Sequence, residues 1–298
     1  MRRVGLPPCV VTHGGAGNTV DVLDGCQAAS LAGLAALGAA RDAAVAAVVV
    51  LEDDARMNAG TGSVLRLGSD SAQMDASVMD AGGFGAVAVV ENLKNPVKLA
   101  RAIYDSPHLM LAGAGAMELA ARLGLEQADP VTERQRQSQR ERMAKLSEHP
   151  MWRDVPDSYW RTGNSDTVGA VVRAADGSFA AAASTGGIWC ALRGRVGDVP
   201  IPGAGVWVGA AGAVAATGIG EIIWQQLLAK RCHDEMERGL SAQAAIDACL
   251  SFARARHPDI ELGLIAVDHV SCGGGALRQM PWCALDGPVE RGGPRGDR

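Results

Sequence analysis

The sequence predicts a layered α/β fold, and three observations carry that expectation. Short apolar runs with strand character occur in both halves of the chain, at 9–12, 84–91, 167–173, 178–184, 204–210 and 262–268. Segments of helical length and period alternate with them, at about 21–38, 41–51, 96–104, 113–124, 218–238 and 241–255. Asp176-Gly177 stands between two of the runs, a two-residue hairpin signal that makes one strand pair antiparallel. Strands and helices that each need a covering partner, in a chain of 298 residues, imply stacked layers around a large buried core.

Each element has its own justification. Cys9-Val10-Val11-Thr12 reads as a buried strand that runs into the turn His13-Gly14-Gly15-Ala16-Gly17. In the first helix, Leu23, Ala28, Leu31, Leu34 and Leu37 fall near one face. A glycine-punctuated loop follows from Glu52 to Ser63. From about 126 to 163 the character changes. Residues Glu133 to Arg142 are polar on every face, and a Pro-, Trp- and Asp-rich segment comes next, so this stretch reads as a solvated linker needing no packed element. Strand character resumes at Thr167, and the tail from Asp286 onward is rich in Gly, Pro and charge and reads as frayed.

Composition narrows the function classes. A net charge of −5 provides no basic field for nucleic acid. The apolar run Ala43–Leu51 is far short of the roughly 20 residues of a membrane span. Met1-Arg2-Arg3 is followed by a segment broken at Pro7-Pro8, too short for a signal peptide. Seven scattered cysteines form no CxxC pair, which points away from zinc and redox motifs and toward a reducing cytoplasm. The 38 glycines suit a site built from main-chain groups.

No convincing Ser/His/Asp constellation appears, and among six histidines only His13 lies in a glycine-rich turn. Thr167 offers another route. As an ordinary strand residue it needs no role; if the bond before it is cut, however, its new α-amine lies beside its own hydroxyl and serves as the local base. Antiparallel pairing around Asp176-Gly177 makes Thr185, in Ser184-Thr185-Gly186-Gly187, a spatial neighbour of Thr167. Gly194-Arg195-Val196-Gly197-Asp198 holds a cation and an anion three residues apart. They form either a surface ion pair or a match for the carboxylate and ammonium of an α-amino acid. Thr217-Gly218-Ile219-Gly220-Glu221 precedes a helix and exposes backbone N–H groups suited to an oxyanion or carboxylate.

Taken in order, these segments resemble the plant-type (type III) L-asparaginases and isoaspartyl peptidases, an Ntn-hydrolase family with glycosylasparaginase and threonine aspartase as relatives. The resemblance includes Leu51 to Ser63 with Asn58, Met74 to Asp80, Asn95-Pro96-Val97, Ser106-Pro107-His108 and Gly203-Ala204-Gly205. It runs over about residues 10–270. It implies a four-layer αββα sandwich in one domain, made as a precursor and cut between Asp166 and Thr167. The products would be an α subunit, 1–166 with its linker at about 126–166, and a β subunit, 167–298, paired as (αβ)2. By the same resemblance Thr167 is the nucleophile, supported by Thr185 and Asn58. Thr217 and Gly218 stabilise the oxyanion. Arg195 holds the substrate carboxylate, while Asp198 and Gly220 hold its ammonium. Main-chain carbonyls of the Glu52–Ser63 loop hold a structural sodium, and no other cofactor is required.

The implied substrates are small amides, L-asparagine or β-aspartyl dipeptides. Ile219 stands where relatives usually carry a small polar residue, an apolar side chain expected to narrow or dry the site. Trp189-Cys190-Ala191-Leu192 is apolar where relatives are often polar, and Asp rather than Gly precedes Thr167. Ile219 and Trp189 support a second reading, an amidase of the same fold for a larger or modified amide. A third is a scaffold that never matures.

Overall fold

The computed structural model describes residues 7–146, 151–156, 158, 167–287 and 289–293. Its first half contains β1 (Cys9–His13), α1 (Leu23–Ala35), α2 (Ala40–Asp53), β2 (Met74–Asp80), β3 (Gly83–Val90), α3 (Pro96–Tyr104), β4 (Met110–Ala112), α4 (Gly113–Arg122) and α5 (Glu133–Met143). The second half contains β5 (Val168–Arg173), β6 (Phe179–Thr185), β7 (Val206–Gly209), β8 (Gly212–Gly218), α6 (Gly220–Gln226), α7 (Leu228–Glu237), α8 (Ala242–Arg254), β9 (Leu262–Asp268), β10 (Cys272–Ala276), β11 (Trp282–Asp286) and β12 (Val289–Gly292).

The strands form two sheets, ordered β12-β11-β1-β5-β6-β2-β3-β4 and β10-β9-β8-β7. Pairing is antiparallel throughout except between β3 and β4. The period-2 alternation of side chains sorts the core into three slabs. Val168, Ala170 and Val172 of β5, with Ala180 and Ala182 of β6, pack against the α1–α4 layer beside Leu51 and Leu99. Val171, Ala181 and Ala183 face the other way, onto Ala213 and Ala215 of β8 and Ile265 and Val267 of β9. On the outer side of the smaller sheet, Val214, Ala216, Leu264 and Ala266 pack against Ile223, Leu228 and Ile246 of α6–α8. The stack is therefore helices, sheet, sheet, helices: the four-layer αββα sandwich that the resemblance implies. Strands buried on both faces explain why the sequence shows continuous apolar runs rather than alternation.

Several local expectations are corrected. The buried face of α1 is Gly25, Cys26, Ala29, Ser30 and Gly33, whereas Leu31 is 60% exposed. The reason is proximity: a Cβ on Gly33 would come within 2.9 Å of Val10 Cγ1 and 3.2 Å of the Ala43 carbonyl oxygen, so only small residues allow this approach. The 218–238 helix is two helices, because Leu227 takes a left-handed conformation with φ 44°, and its first residue belongs to β8. The Asp176-Gly177 hairpin is real but wider than two residues. Arg173 and Phe179 are the last paired positions, and Ala174 N–H donates to the Ser178 carbonyl around Gly177 at φ 85°. Strands β2, β4, β8, β10, β11 and β12 were not apparent from local pattern. In the tail, β12 pairs with β11 instead of fraying.

The expected linker also contains structure. Thr132 caps α5 by accepting from Gln135 N–H, and Gln135 and Gln139 are buried. Among the described residues, no helix is long and apolar enough to cross a membrane.

Candidate active site

Strand parity brings three threonines into one space. Thr167 continues the face of Gly169 and Val171, Thr185 the face of Ala181 and Ala183, and Thr217 the face of Ala213 and Ala215. All three faces look into the gap between the sheets. Register completes the arrangement: Val168 pairs with Ser184, which puts Thr167 beside Thr185. Thr167 is 3% exposed, and its hydroxyl donates to Thr185 Oγ1 at 3.2 Å. Thr185 Oγ1 also accepts from Gly187 N–H at 3.0 Å. Thr217 Oγ1 donates to the Thr167 carbonyl at 3.3 Å and accepts from Ala16 N–H at 3.1 Å, tying the His13–Gly17 turn to the cluster. Asp166, the other half of the expected cleavage site, lies outside the described residues.

Asn58 acts at one remove. Its Nδ2 donates to the Gly187 carbonyl at 2.7 Å, its Oδ1 accepts from Val64 N–H at 3.0 Å, and its own carbonyl accepts from Gly186 N–H at 2.8 Å. It therefore clamps the Thr185-Gly186-Gly187 turn to the loop after α2. The turn demands glycine: Gly187 has φ 86°, and a Cβ there would lie 2.3 Å from Arg66 Nη1. Arg66 is fully buried beneath the turn. Burial pulls its guanidinium down to about 10, against the opposing pull of Asp75.

A charged group flanks the threonines. Arg195 makes a bidentate pair with Glu221, Nε to Oε1 at 2.9 Å and Nη2 to Oε2 at 2.8 Å. Burial opposes the charge on Arg195, but the Glu221 pair outweighs it and raises the guanidinium above its ordinary value. Glu221 moves the opposite way, held below the usual carboxylate range by Arg195 despite its own desolvation. Arg195 is thus bound to α6 and not to Asp198, which excludes the simple Arg195–Asp198 surface pair. Asp198 is buried, and burial pushes its carboxyl up to about 7, with Arg195 opposing. Its Oδ2 has no hydrogen-bond partner among the described residues. Gly220 fits between the two: a Cβ there would lie 2.6 Å from Arg195 Nη2 and 2.8 Å from Asp198 Oδ1. Gly218, with φ 141°, ends β8 against the Glu261 carbonyl, where a Cβ would come within 2.5 Å.

Sequence reasoning gave no role to two residues that shape the site. Asp75 is fully buried and accepts from Val89 N–H at 2.8 Å and Gly197 N–H at 3.0 Å. It so holds both a valine at φ 58° and the loop bearing Arg195 and Asp198. Its signal was available, because its parity differs from that of Ala76 and Val78, which face the helices. Glu221 was visible in the Thr217–Glu221 segment, but nothing local links it to Arg195.

Ile219 follows Gly218, at the start of α6. It is 7% exposed and packs in the apolar cluster with Ile223, Leu228 and Leu262. Trp189 is also buried, with the Arg142 guanidinium 4.2 Å over its ring. His13 packs against Gly169, and burial holds its imidazole down to about 3, so it stays neutral.

In the Glu52–Ser63 loop, carbonyl oxygens crowd two glycines. A Cβ on Gly60 would lie 2.6 Å from the Glu52 oxygen and 2.9 Å from that of Lys94; on Gly62, 2.3 Å from Met57 and 2.7 Å from Ala55. Main-chain carbonyls are the donor type a hard cation takes, and here the Glu52 carbonyl already accepts from Thr61 N–H and that of Ala55 from Arg134 Nη2.

A model of the asparaginase family matches residues 7–278. The plant-type L-asparaginase of Pyrobaculum calidifontis is 40% identical over 276 residues, covering 87% of this chain and 90% of that protein. The isoaspartyl peptidase/L-asparaginase of Mus musculus is 36% identical over 303 residues, 95% of this chain and 90% of its own. The Xenopus laevis protein of the same name is 37% identical over 299 residues, with 94% and 93% covered. The threonine cluster stands between the sheets of an N-terminal-nucleophile hydrolase sandwich, and the chain belongs to the asparaginase family.

Proposed function

We propose that this chain matures by cleavage before Thr167 and then hydrolyses L-asparagine, β-aspartyl dipeptides or both, releasing L-aspartate. The observation that carries the reading is the buried contact of Thr167 with Thr185 and Thr217, beside an Arg195/Asp198 pair suited to the two charges of an α-amino acid. The hydroxyl of Thr167 attacks the side-chain carbonyl while its own α-amine takes the proton. The oxyanion is held by Thr217 Oγ1 and the Gly218 N–H. Collapse expels ammonia or a peptide amine, which takes the proton back, and leaves a β-aspartyl ester on Thr167. Water, deprotonated by the same amine, releases aspartate. In maturation the hydroxyl attacks the Asp166 carbonyl, the acyl group moves from N to O and so frees the α-amine, and water hydrolyses the ester to release the Asp166 carboxylate and the Thr167 hydroxyl.

Thr185 fixes the hydroxyl, and Asn58 fixes the turn behind it. A sodium ion on the carbonyls of the Glu52–Ser63 loop would be held by Glu52, Met57 and their neighbours, and would supply rigidity to the segment bearing Asn58. Paired (αβ)2 assembly is part of the same proposal. A cytoplasmic location is supported by seven buried cysteines, none of them in a disulfide.

A second reading, hydrolysis of a larger asparagine-like amide, is favoured by a cavity of about 420 Å3 beside Arg195, walled by Trp152, Ile188, Ala191 and Leu192. Intact mass spectrometry of the protein beside Thr167→Ala tests maturation. Two fragments meeting at Asp166/Thr167, absent in the variant, are expected. A single uncut chain in both overturns the nucleophile and leaves a non-maturing scaffold. A panel of asparagine, β-aspartyl dipeptides and N-substituted asparagines then separates the two substrate readings.

A further inference from the structure

Three loops that carry the candidate site also wall a second, smaller cavity. Asn18, Asn58 and Trp189, with Arg56, Val64 and Arg134, enclose about 120 Å3. Asn18 belongs to the first loop: its Nδ2 donates to the Gly14 carbonyl at 2.7 Å, and Ala16 of the same loop donates to Thr217 Oγ1 at 3.1 Å. Asn58 reaches the cavity while holding the Gly187 carbonyl at 2.7 Å, and Trp189 follows Gly187 by two residues. The walls are thus extensions of the segments that position Thr185 and Thr217.

The charge at this cavity is unbalanced. Arg56 is matched by Asp24 at 3.0 Å and Asp54 at 2.6 Å. Farther along α5, Arg136 pairs with Asp129 and Arg140 with Glu133, both at 2.5 Å. Arg134 differs. Its Nη2 donates only to the carbonyls of Ala55, at 3.1 Å, and Arg56, at 3.2 Å, and among the described residues it has no carboxylate partner. It is exposed and lines the cavity. A planar guanidinium with a free edge is built to take a carboxylate.

This bears on the proposed reaction, on which the inference rests. Asparagine loses ammonia, which needs no subsite. A β-aspartyl dipeptide loses an amino acid whose far end is a carboxylate. We infer that the 120 Å3 cavity is the leaving-group subsite, which receives a small second residue of a β-aspartyl dipeptide and binds its terminal carboxylate on Arg134. The volume favours glycine or alanine over large side chains.

The test compares β-aspartyl-glycine with β-aspartyl-glycinamide on the mature enzyme, with L-asparagine as a third substrate. The two dipeptides share the scissile bond and differ in the terminal charge. Wild-type protein should prefer the free acid in kcat/KM. Arg134→Gln, which keeps a donor for the two carbonyls but no charge, should shrink that preference by about fivefold, the size expected of one exposed ion pair. Arg134→Lys should retain most of it. The inference is overturned if the wild type shows no preference, or if Arg134→Gln slows both dipeptides by the same factor, the mark of a structural role. Protein that hydrolyses asparagine but neither dipeptide also overturns it and leaves the parent reading in place. Mature protein inert toward all three overturns both.

Discussion

Asp198 sits in the site as a destabilised group, buried with one oxygen unpartnered and pushed up to about 7. Under the proposed function a substrate ammonium would pair with that oxygen, and the cost of burying Asp198 would then favour an α-amino group. The same shift has a stability signature. The folded carboxyl keeps its proton to about pH 7, whereas the unfolded chain loses it near the ordinary value of 3.8. Its stabilising contribution is therefore full below pH 3.8 and is lost as pH rises through about 7. In the Thr167→Ala precursor, Asp198→Asn should gain stability relative to its parent as pH rises from about 4 to 8, by on the order of 3 kcal/mol. Urea unfolding at several pH values measures this, and a pH-independent difference contradicts it. At this scale the individual candidates were legible: Thr167, Thr185, Arg195 and Asp198 stand in recognisable segments. Asp75 was not assigned, because an aspartate inside MDASVMD has no local reason to bind Gly197 N–H, 122 residues away.

The α5 helix shows how an element acquires a role that its own sequence does not announce. It has no apolar stripe, and most of its charges pair with one another or with nearby loops. Two of its glutamines are nevertheless buried. Gln135 Nε2 donates to the Gly62 carbonyl at 2.7 Å, and Gln139 Nε2 to the Arg66 carbonyl at 3.3 Å. The helix thus closes the loop that carries Asn58 and supports the residue beneath Gly187. Removing Gln135 leaves a buried carbonyl without its side-chain donor, so Gln135→Ala should cost about 1–2 kcal/mol in urea unfolding of the Thr167→Ala precursor. An unchanged midpoint would mean that α5 is held by its surface ion pairs. Amphipathic pattern fails here because docking is polar, and a polar contact leaves no hydrophobic period to read. Elements with regular burial, such as β5, β6 and α8, were legible for the opposite reason.

At the scale of the molecule, the two sheets approach closely because their facing strands are lined by small residues. Ala181 and Ala183 of β6 meet Ala213 and Ala215 of β8, and Gly169 leaves only 3.3 Å between a built Cβ and Ala215. The three threonines are the last positions on those facing stripes, so sheet spacing sets the distances between their hydroxyls. Ala183→Leu should destabilise the protein by about 1–3 kcal/mol and slow maturation, as overpacking pushes the sheets apart next to Thr185. Thermal melts together with the rate of fragment appearance would show it; unaltered maturation would separate sheet spacing from chemistry. The identity of β1, β3, β5, β6, β7 and β9 and the Thr167–Thr185 neighbourhood belong to the sequence itself, because an apolar strand run and a hairpin are local properties of the chain. The pairing of Arg195 with Glu221, the grip of Asp75 on the Arg195 loop and the docking of α5 onto the Asn58 loop were decided only by tertiary structure. They join polar groups far apart in sequence, and burial chooses such partners only after the layers have closed.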